Sequence, residues 1–181
     1  MNYYAMQVVT TQEAKFLRRA AYYMEANGLA GGEAGRLIVP RRALSIRKRG
    51  VVKNTESPIF PGYVFLEAKS MDPKMYWLLK RIEGFCRFLK DNHNIEPLTG
   101  TDAELFLHFL SFGEVVEKSR VYFDKDNRIQ IIDGPLKGLE GLIIKVDRRK
   151  CRAKVRLSLY ANSFPIDLGF DQIEQLAKVT P

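Results

Sequence analysis

The chain of 181 residues has only two cysteines, Cys86 and Cys151, and two histidines, His93 and His108. None of them stands at metal-ligand or redox spacing from another, so neither a zinc site nor a CxxC centre is expected. No apolar run approaches the length of a membrane span. Residues 1–20 also lack the basic, apolar and small-residue order of a signal peptide. The expected location is therefore the cytoplasm, away from any membrane and too reducing for a structural disulfide. No phosphate-cradling loop and no nucleophile–base pair is present. Acidic residues fall mostly at helix starts and in turns, where capping accounts for them. The sequence predicts no enzyme, no cofactor and no metal.

What is present is positive charge in two places. The net charge is +8, yet residues 36–53 alone carry Arg36, Arg41, Arg42, Arg47, Lys48, Arg49 and Lys53 with no acid. Residues 145–156 carry Lys145, Arg148, Arg149, Lys150, Arg152, Lys154 and Arg156 against Asp147. The rest of the chain is net acidic, at −5 against the +13 of these two segments. A mildly acidic protein with two basic patches suits a defined polyanion contact better than general solubility.

Periodicity divides the chain. Asn2 to Val9 is short and rich in Tyr and Val, as a strand is. Thr10 with Glu13 reads as a capping box opening a helix whose apolar face is Ala14, Leu17, Ala21 and Met24. Gly28 ends it, and residues 28–35 form a glycine-rich loop. Arg36 to Pro40 reads as a strand, as does Ile59 to Ala68 with a break at Pro61-Gly62. Asp72-Pro73 starts a second helix with Met75, Leu78, Leu79 and Ile82 on its apolar face. Gly84 to Leu89 alternates as a strand. Thr101 and Glu104 read as a capping box for a third helix carrying Leu105, Phe109 and Phe112. The βαββαβ order predicts a ferredoxin-like, mainly antiparallel sheet with helices on one face. Residues 113–120 lack periodicity and are expected to be a linker between a domain at 1–112 and another at 121–181. In the second domain only short strands and turns are visible. The cleanest is Cys151 to Leu159, where Cys151, Ala153, Val155, Leu157 and Leu159 share a face opposite Arg152, Lys154, Arg156 and Ser158. About sixty residues of this kind predict a small barrel.

These residues also carry a resemblance. Tyr3-Tyr4-Ala5-Met6-Gln7-Val8 resembles the opening strand of the NusG amino-terminal domain. Ile59-Phe60-Pro61-Gly62-Tyr63-Val64-Phe65 resembles that family's Phe-Pro-Gly-Tyr-Val signature. Asp133 to Gly141, with the sequence DGPLKGLEG, resembles the KOW motif. The resemblance spans nearly the whole chain and implies an α+β protein with a ferredoxin-like amino-terminal domain followed by an SH3-like barrel. It implies a bacterial transcription elongation factor, monomeric, whose first domain grips the clamp helices of the largest RNA polymerase subunit. Tyr3 stands where the family usually has Trp. The basic turn at 148–150 is richer in Arg and Lys than in a housekeeping NusG, which resembles the specialised LoaP-type paralogues. Those antiterminators act on particular operons through a structured leader RNA.

Four candidate sites follow. Phe60, Pro61, Gly62 and Tyr63, with Tyr3, Tyr4 and Phe88, are expected to form an aromatic pocket for polymerase; the competing reading packs these rings into the core, where Phe85 and Cys86 are also expected. Lys145, Arg148, Arg149, Lys150, Arg152, Lys154 and Arg156 form a ribbon suited to RNA, with DNA or a solvated face as the alternatives. Arg41, Arg42, Arg47 and Arg49 are expected on a loop or hairpin beside the first domain, near upstream or non-template DNA in the family, with a flexible solvated loop as the alternative. Tyr160 aligns with a barrel loop through which NusG proteins meet the ribosome or Rho. The function expected is processive antitermination directed by RNA. The alternatives are a general NusG coupled to Rho or the ribosome, and a ribosome-associated KOW protein.

Overall fold

The computed structural model describes residues 1–31, 35–48, 51–89, 95–160 and 162–174, with Arg47, Lys48 and Val52 described along the backbone alone. Its elements are β1 (Asn2–Val8), α1 (Glu13–Ala26), β2 (Arg36–Ile38), β3 (Arg41–Lys48), β4 (Val51–Pro58), β5 (Tyr63–Ala68), α2 (Pro73–Arg81), β6 (Phe85–Phe88), α3 (Gly100–Leu110), β7 (Val115–Val116), β8 (Ser119–Phe123), β9 (Ile129–Asp133), β10 (Ile143–Asp147), β11 (Arg152–Leu159) and β12 (Asn162–Gln172). A single 3-10 turn, Glu140–Leu142, precedes β10. Contacts divide the chain into two compact units: Met1–Pro40 with Pro58–Leu107, and Arg41–Ser57 with His108–Pro181.

The first unit is built on β1. Alternate residues of a strand face opposite sides, so Tyr4, Met6 and Val8 turn one way and Tyr3, Ala5 and Gln7 the other. β1 pairs antiparallel with β5 on one side and β6 on the other, and β2 closes the order β2-β5-β1-β6. This is the ferredoxin-like arrangement that the element order predicts. On one face Tyr4, Met6, Val8, Val64, Leu66 and Phe88 form a core with Phe16, Ala20 and Met24 of α1 and Met75, Leu79 and Ile82 from α2 and its end.

Three details depart from the sequence reading. The buried stripe of α1 is Glu13, Phe16, Ala20 and Met24, one step round from the expected Ala14–Leu17–Ala21–Met24. Both stripes have helical spacing, but only this one puts the large Phe16 ring on the sheet, where it gains most from burial. α1 has Gln12 at its N-cap with no side-chain cap, so Thr10 and Glu13 form no capping box. α3 begins at Gly100, which places Thr101 inside it. It covers the second face of the sheet: the Phe106 ring lies 4.3 Å from Phe65 and 4.9 Å from Tyr3. Helices therefore line both faces. The start of α2 is as expected, with the Asp72 carboxylate accepting the Lys74 N–H at 2.6 Å and Pro73 in the first turn.

In the second unit β12 is long enough to belong to two pairings. It runs antiparallel to β11 from Asn162 to Gly169 and parallel to β8 from Phe170 to Gln172. The resulting order, β10-β11-β12-β8-β9, is the curled sheet of an SH3-like barrel. β11 keeps the predicted alternation: Ala153, Val155, Leu157 and Leu159 are wholly buried. Cys151 does not share that face. It sits exposed in the preceding turn at φ 51, as one of the few non-glycine residues in the left-handed region.

The segment 113–120 contains β7 and the start of β8, and β7 pairs in parallel with β3. The hairpin of β3 and β4 groups with the barrel unit rather than with the first. Gly169 permits this approach, because a Cβ there would stand 3.2 Å from the Ala43 carbonyl and 2.9 Å from the Lys118 side chain.

Candidate nucleic-acid interface

Two strands and one tight turn make the basic ribbon. Asp147 ends β10 and its carboxylate accepts the Lys150 N–H at 2.9 Å, while Cys151 N–H donates to the Arg148 carbonyl at 3.2 Å. The register places Lys145 opposite Lys154 and Asp147 opposite Arg152. Lys145, Arg148, Arg149, Lys150 and Arg156 are exposed, while Lys154 and Arg152 are part-buried. Among the described residues Lys145, Arg149 and Arg156 make no side-chain hydrogen bond or ion pair, so their charge faces solvent uncompensated.

Arg152 differs from its neighbours. Its guanidinium donates to the Ser45 carbonyl in β3 at 2.9 Å and lies 3.8 Å from Asp167 of β12. Only 19% of its side chain is accessible, so it serves the packing of hairpin on barrel rather than an outer partner. Lys154 shares Asp167 at 3.9 Å. The sequence expectation of a uniformly outward basic face is corrected here, because β12 supplies a carboxylate across the strand. Lys145, Asp147, Lys150, Arg152, Lys154 and Asp167 line a shallow depression of about 120 Å³ whose charge remains positive.

Among the hairpin arginines, Arg41 is half-exposed and pairs with Glu56 at 2.6 Å. Arg42 is largely buried. Burial pulls its guanidinium below its ordinary range, Asp167 opposes that shift, and Arg152 adds to it. An arginine held this way is a poor candidate for a phosphate contact. The Arg47 side chain and Arg49 lie outside the described residues, as do His93, Ala161 and residues 32–34 and 175–181.

The aromatic candidates are mostly interior. Tyr4, Phe60, Tyr63 and Phe88 are each 5% exposed or less. Phe60 packs on Phe65 at 5.4 Å and on Phe106 at 6.4 Å, so the third helix covers the surface on which an open aromatic pocket was expected. Phe88 stacks on Tyr76 at 5.5 Å. Exposure remains at Pro61 and, in part, at Tyr3, whose hydroxyl donates to Glu67 at 2.9 Å. Phe85 is half-buried, and Cys86 is exposed rather than in the core. Tyr160 is part-buried at φ 49 in the turn between β11 and β12.

Five contributors escaped the sequence reading. Glu13, buried to 4%, accepts the Gly62 N–H at 2.6 Å and thereby fastens α1 to the Pro61-Gly62 turn. Asp167 and Ser45 hold Arg152. Asn127 and Phe123 hold Arg148: the guanidinium carbon lies 4.0 Å from the Phe123 ring centre, and Nη1 donates to Asn127 Oδ1 at 2.9 Å.

Comparison with known proteins agrees with this architecture. Residues 1–107 match the family described as transcription termination factor nusG, and residues 125–157 match the KOW motif. The chain is 26% identical to the transcription termination/antitermination protein NusG of Bacillus subtilis over 177 residues, covering 97% of this chain and 98% of that one. Against the NusG of Vibrio cholerae it is 24% identical, covering 97% and 96%. A solved structure of Thermotoga maritima NusG shares the fold with a TM-score of 0.62 at 22% identity, over 93% of each chain. With a ferredoxin-like unit and a KOW barrel in this order, and a family match over more than half its length, the chain belongs to the NusG family of transcription factors, which are not enzymes.

Proposed function

We propose that this NusG-family protein is a processive antitermination factor of the LoaP kind, monomeric and cytoplasmic. Its first unit binds RNA polymerase at the clamp helices of the largest subunit. Its barrel captures a structured RNA in the nascent leader and so confines its action to chosen operons. The observation that carries this reading is the β10–β11 ribbon, where Lys145, Arg149 and Arg156 face solvent without a counter-charge among the described residues. Uncompensated cations on one ribbon favour binding of a polyanion, which releases its condensed counterions. Phe60 and Tyr63 serve the polymerase contact from within, by fixing the turn that offers Pro61, and Tyr3 adds a part-exposed ring further along β1. Arg41, on the hairpin, is the residue suited to upstream or non-template DNA.

Terminator readthrough by purified bacterial polymerase tests the proposal on two templates, one with the leader from the protein's own gene neighbourhood and one with that leader scrambled. Readthrough on the native leader alone, lost in Arg148→Ala with Arg149→Ala, is the expected result. Equal readthrough on both templates would instead support a general NusG that couples transcription to Rho or the ribosome through Tyr160. The end-to-end match with the Bacillus and Vibrio proteins favours that second reading.

A further inference from the structure

Arg148 is the one ribbon cation whose guanidinium is fixed while still open to solvent. Two turns at the same end of the barrel build its seat. In the β8–β9 turn, the Asp124 carboxylate accepts N–H bonds from Asp126 and Arg128 at 2.9 Å each and from the Gln130 side chain at 2.9 Å. These bonds hold Asn127 at φ 58, a conformation that asparagine tolerates better than most residues. Asn127 Oδ1 then takes Arg148 Nη1 at 2.9 Å. Beneath the guanidinium, Phe123 lies 4.0 Å away and is itself edge-packed on the buried Phe170 at 6.0 Å. The planar, weakly hydrated guanidinium is suited to such a seat in a way that an ammonium is not.

With Nη1 engaged, the Nε and Nη2 donors of Arg148 have no hydrogen-bond partner among the described residues. They form the side-on edge of the guanidinium, two parallel donors in one plane. Guanine presents two acceptors, O6 and N7, at matching spacing, whereas adenine pairs N7 with a donor and neither pyrimidine offers two acceptors on that edge. In A-form RNA this edge lies deep in a narrow groove, so a base reached by a projecting turn must be in a loop or bulge. A seat formed before binding also removes most of the rotamer entropy that a free arginine loses.

We propose that Arg148 is a guanine-reading residue, resting on the RNA-capture reading above: seated over Phe123 and pinned by Asn127, it takes O6 and N7 of an unpaired guanine. Lys145, Arg149, Lys150 and Arg156 supply sequence-independent phosphate contacts around it. The simpler role, an arginine that merely shields Phe123, makes a different prediction and is separated by experiment.

The test uses the full chain and a set of fluorescent RNA hairpins with a common stem. One loop is all uridine, and the others carry one guanosine walked through the loop positions. The best guanosine hairpin is expected to bind about tenfold tighter than the uridine hairpin. Replacing that guanosine by 7-deazaguanosine, which lacks the N7 acceptor, should return binding to the uridine level. Arg148→Lys and Asn127→Ala should each bring the ratio of the two affinities towards one. Arg148→Met keeps a cover on Phe123 and should abolish the ratio as fully as Arg148→Lys. A ratio unchanged in Arg148→Lys, or no guanosine preference at any loop position in the wild type, overturns the proposal while leaving RNA capture standing. Failure to bind every hairpin at low salt overturns both.

Discussion

The Gly62 N–H donates to the buried Glu13 carboxylate at 2.6 Å, which joins the first turn of α1 to the Pro61-Gly62 bend of the family signature. Gly62 itself sits at φ 81, with Thr10 Oγ1 only 2.8 Å from where a Cβ would stand. Thr10 and Glu13, which read as a capping pair in the sequence, are thus both committed to this bend. Removing the carboxylate leaves the buried Gly62 N–H unmet. Glu13→Ala is expected to cost about 1–3 kcal/mol in urea unfolding, and Glu13→Gln, which keeps an acceptor, less. Equal stability of Glu13→Ala and wild type would show that the bond carries nothing. Gly62→Ala should also destabilise, and Thr10→Ala should rescue it only in part, since the left-handed backbone still costs about 1–2 kcal/mol.

Phe60 and Pro61 are adjacent in sequence and opposite in role. Phe60→Ala removes a wholly buried ring and should cost about 3–5 kcal/mol, so its effect on polymerase binding would reflect lost folding. Pro61→Asp, on the exposed bend, should leave the unfolding free energy in urea within about 0.5 kcal/mol of wild type and weaken binding to core polymerase. Unchanged polymerase affinity in both Pro61→Asp and Tyr3→Ala would remove both residues from the proposed contact.

Arg149 and Arg152 should separate in the same way on the ribbon. Arg149→Ala, exposed and unpaired among the described residues, is expected to leave stability unchanged and to reduce the slope of log affinity against log salt by about 0.7–0.9. Arg152→Ala loses the Ser45 and Asp167 contacts and should lower stability by about 1.5–3 kcal/mol. A destabilised Arg149→Ala, or a fully stable Arg152→Ala, would reverse the assignment.

Acid should loosen the Arg148 seat through Asp124. The Arg128 backbone N–H, followed by the Gln130 side chain and the Asp126 N–H, holds this carboxyl below its ordinary value of 3.8, with partial desolvation opposing. Asp133 is lowered likewise, chiefly by the Arg120 side chain. A carboxylate with a depressed folded pKa contributes stability that is present above the unfolded value and is lost as pH falls through the folded one. The barrel should therefore hold its stability down to about pH 4 and lose it below. Asp124→Asn should be less stable than wild type at neutral pH and show a shallower loss on acidification. Parallel acid profiles would exclude Asp124 from that loss.

Much of this was legible from pattern alone. Asp72-Pro73 capped α2 as its chemistry requires, and the period of two in Ala153, Val155, Leu157 and Leu159 survived intact because β11 is central and one face must be buried. The stripe of α1 was not legible, since two stripes have the same spacing and only the facing sheet chooses between them. Nor was the burial of Phe60, Tyr63 and Phe88. An aromatic beside a Pro-Gly bend suits a surface or a core equally until α3, forty residues later, lays Phe106 across it.

The sequence by itself determined the kind of protein: a strand order that makes a ferredoxin-like sheet, a KOW barrel after it, and two concentrations of positive charge. These are local properties, carried by periodicity, turn chemistry and net charge. Tertiary structure alone decided which charges remain available. Asp167, Ser45, Asn127 and Phe123 come from strands and turns distant in the chain, and they alone distinguish Arg152, spent on packing, from Arg148, seated with its side-on edge open. Coulomb and hydrogen-bond partners depend on distance in space, and spacing along the chain does not encode that distance.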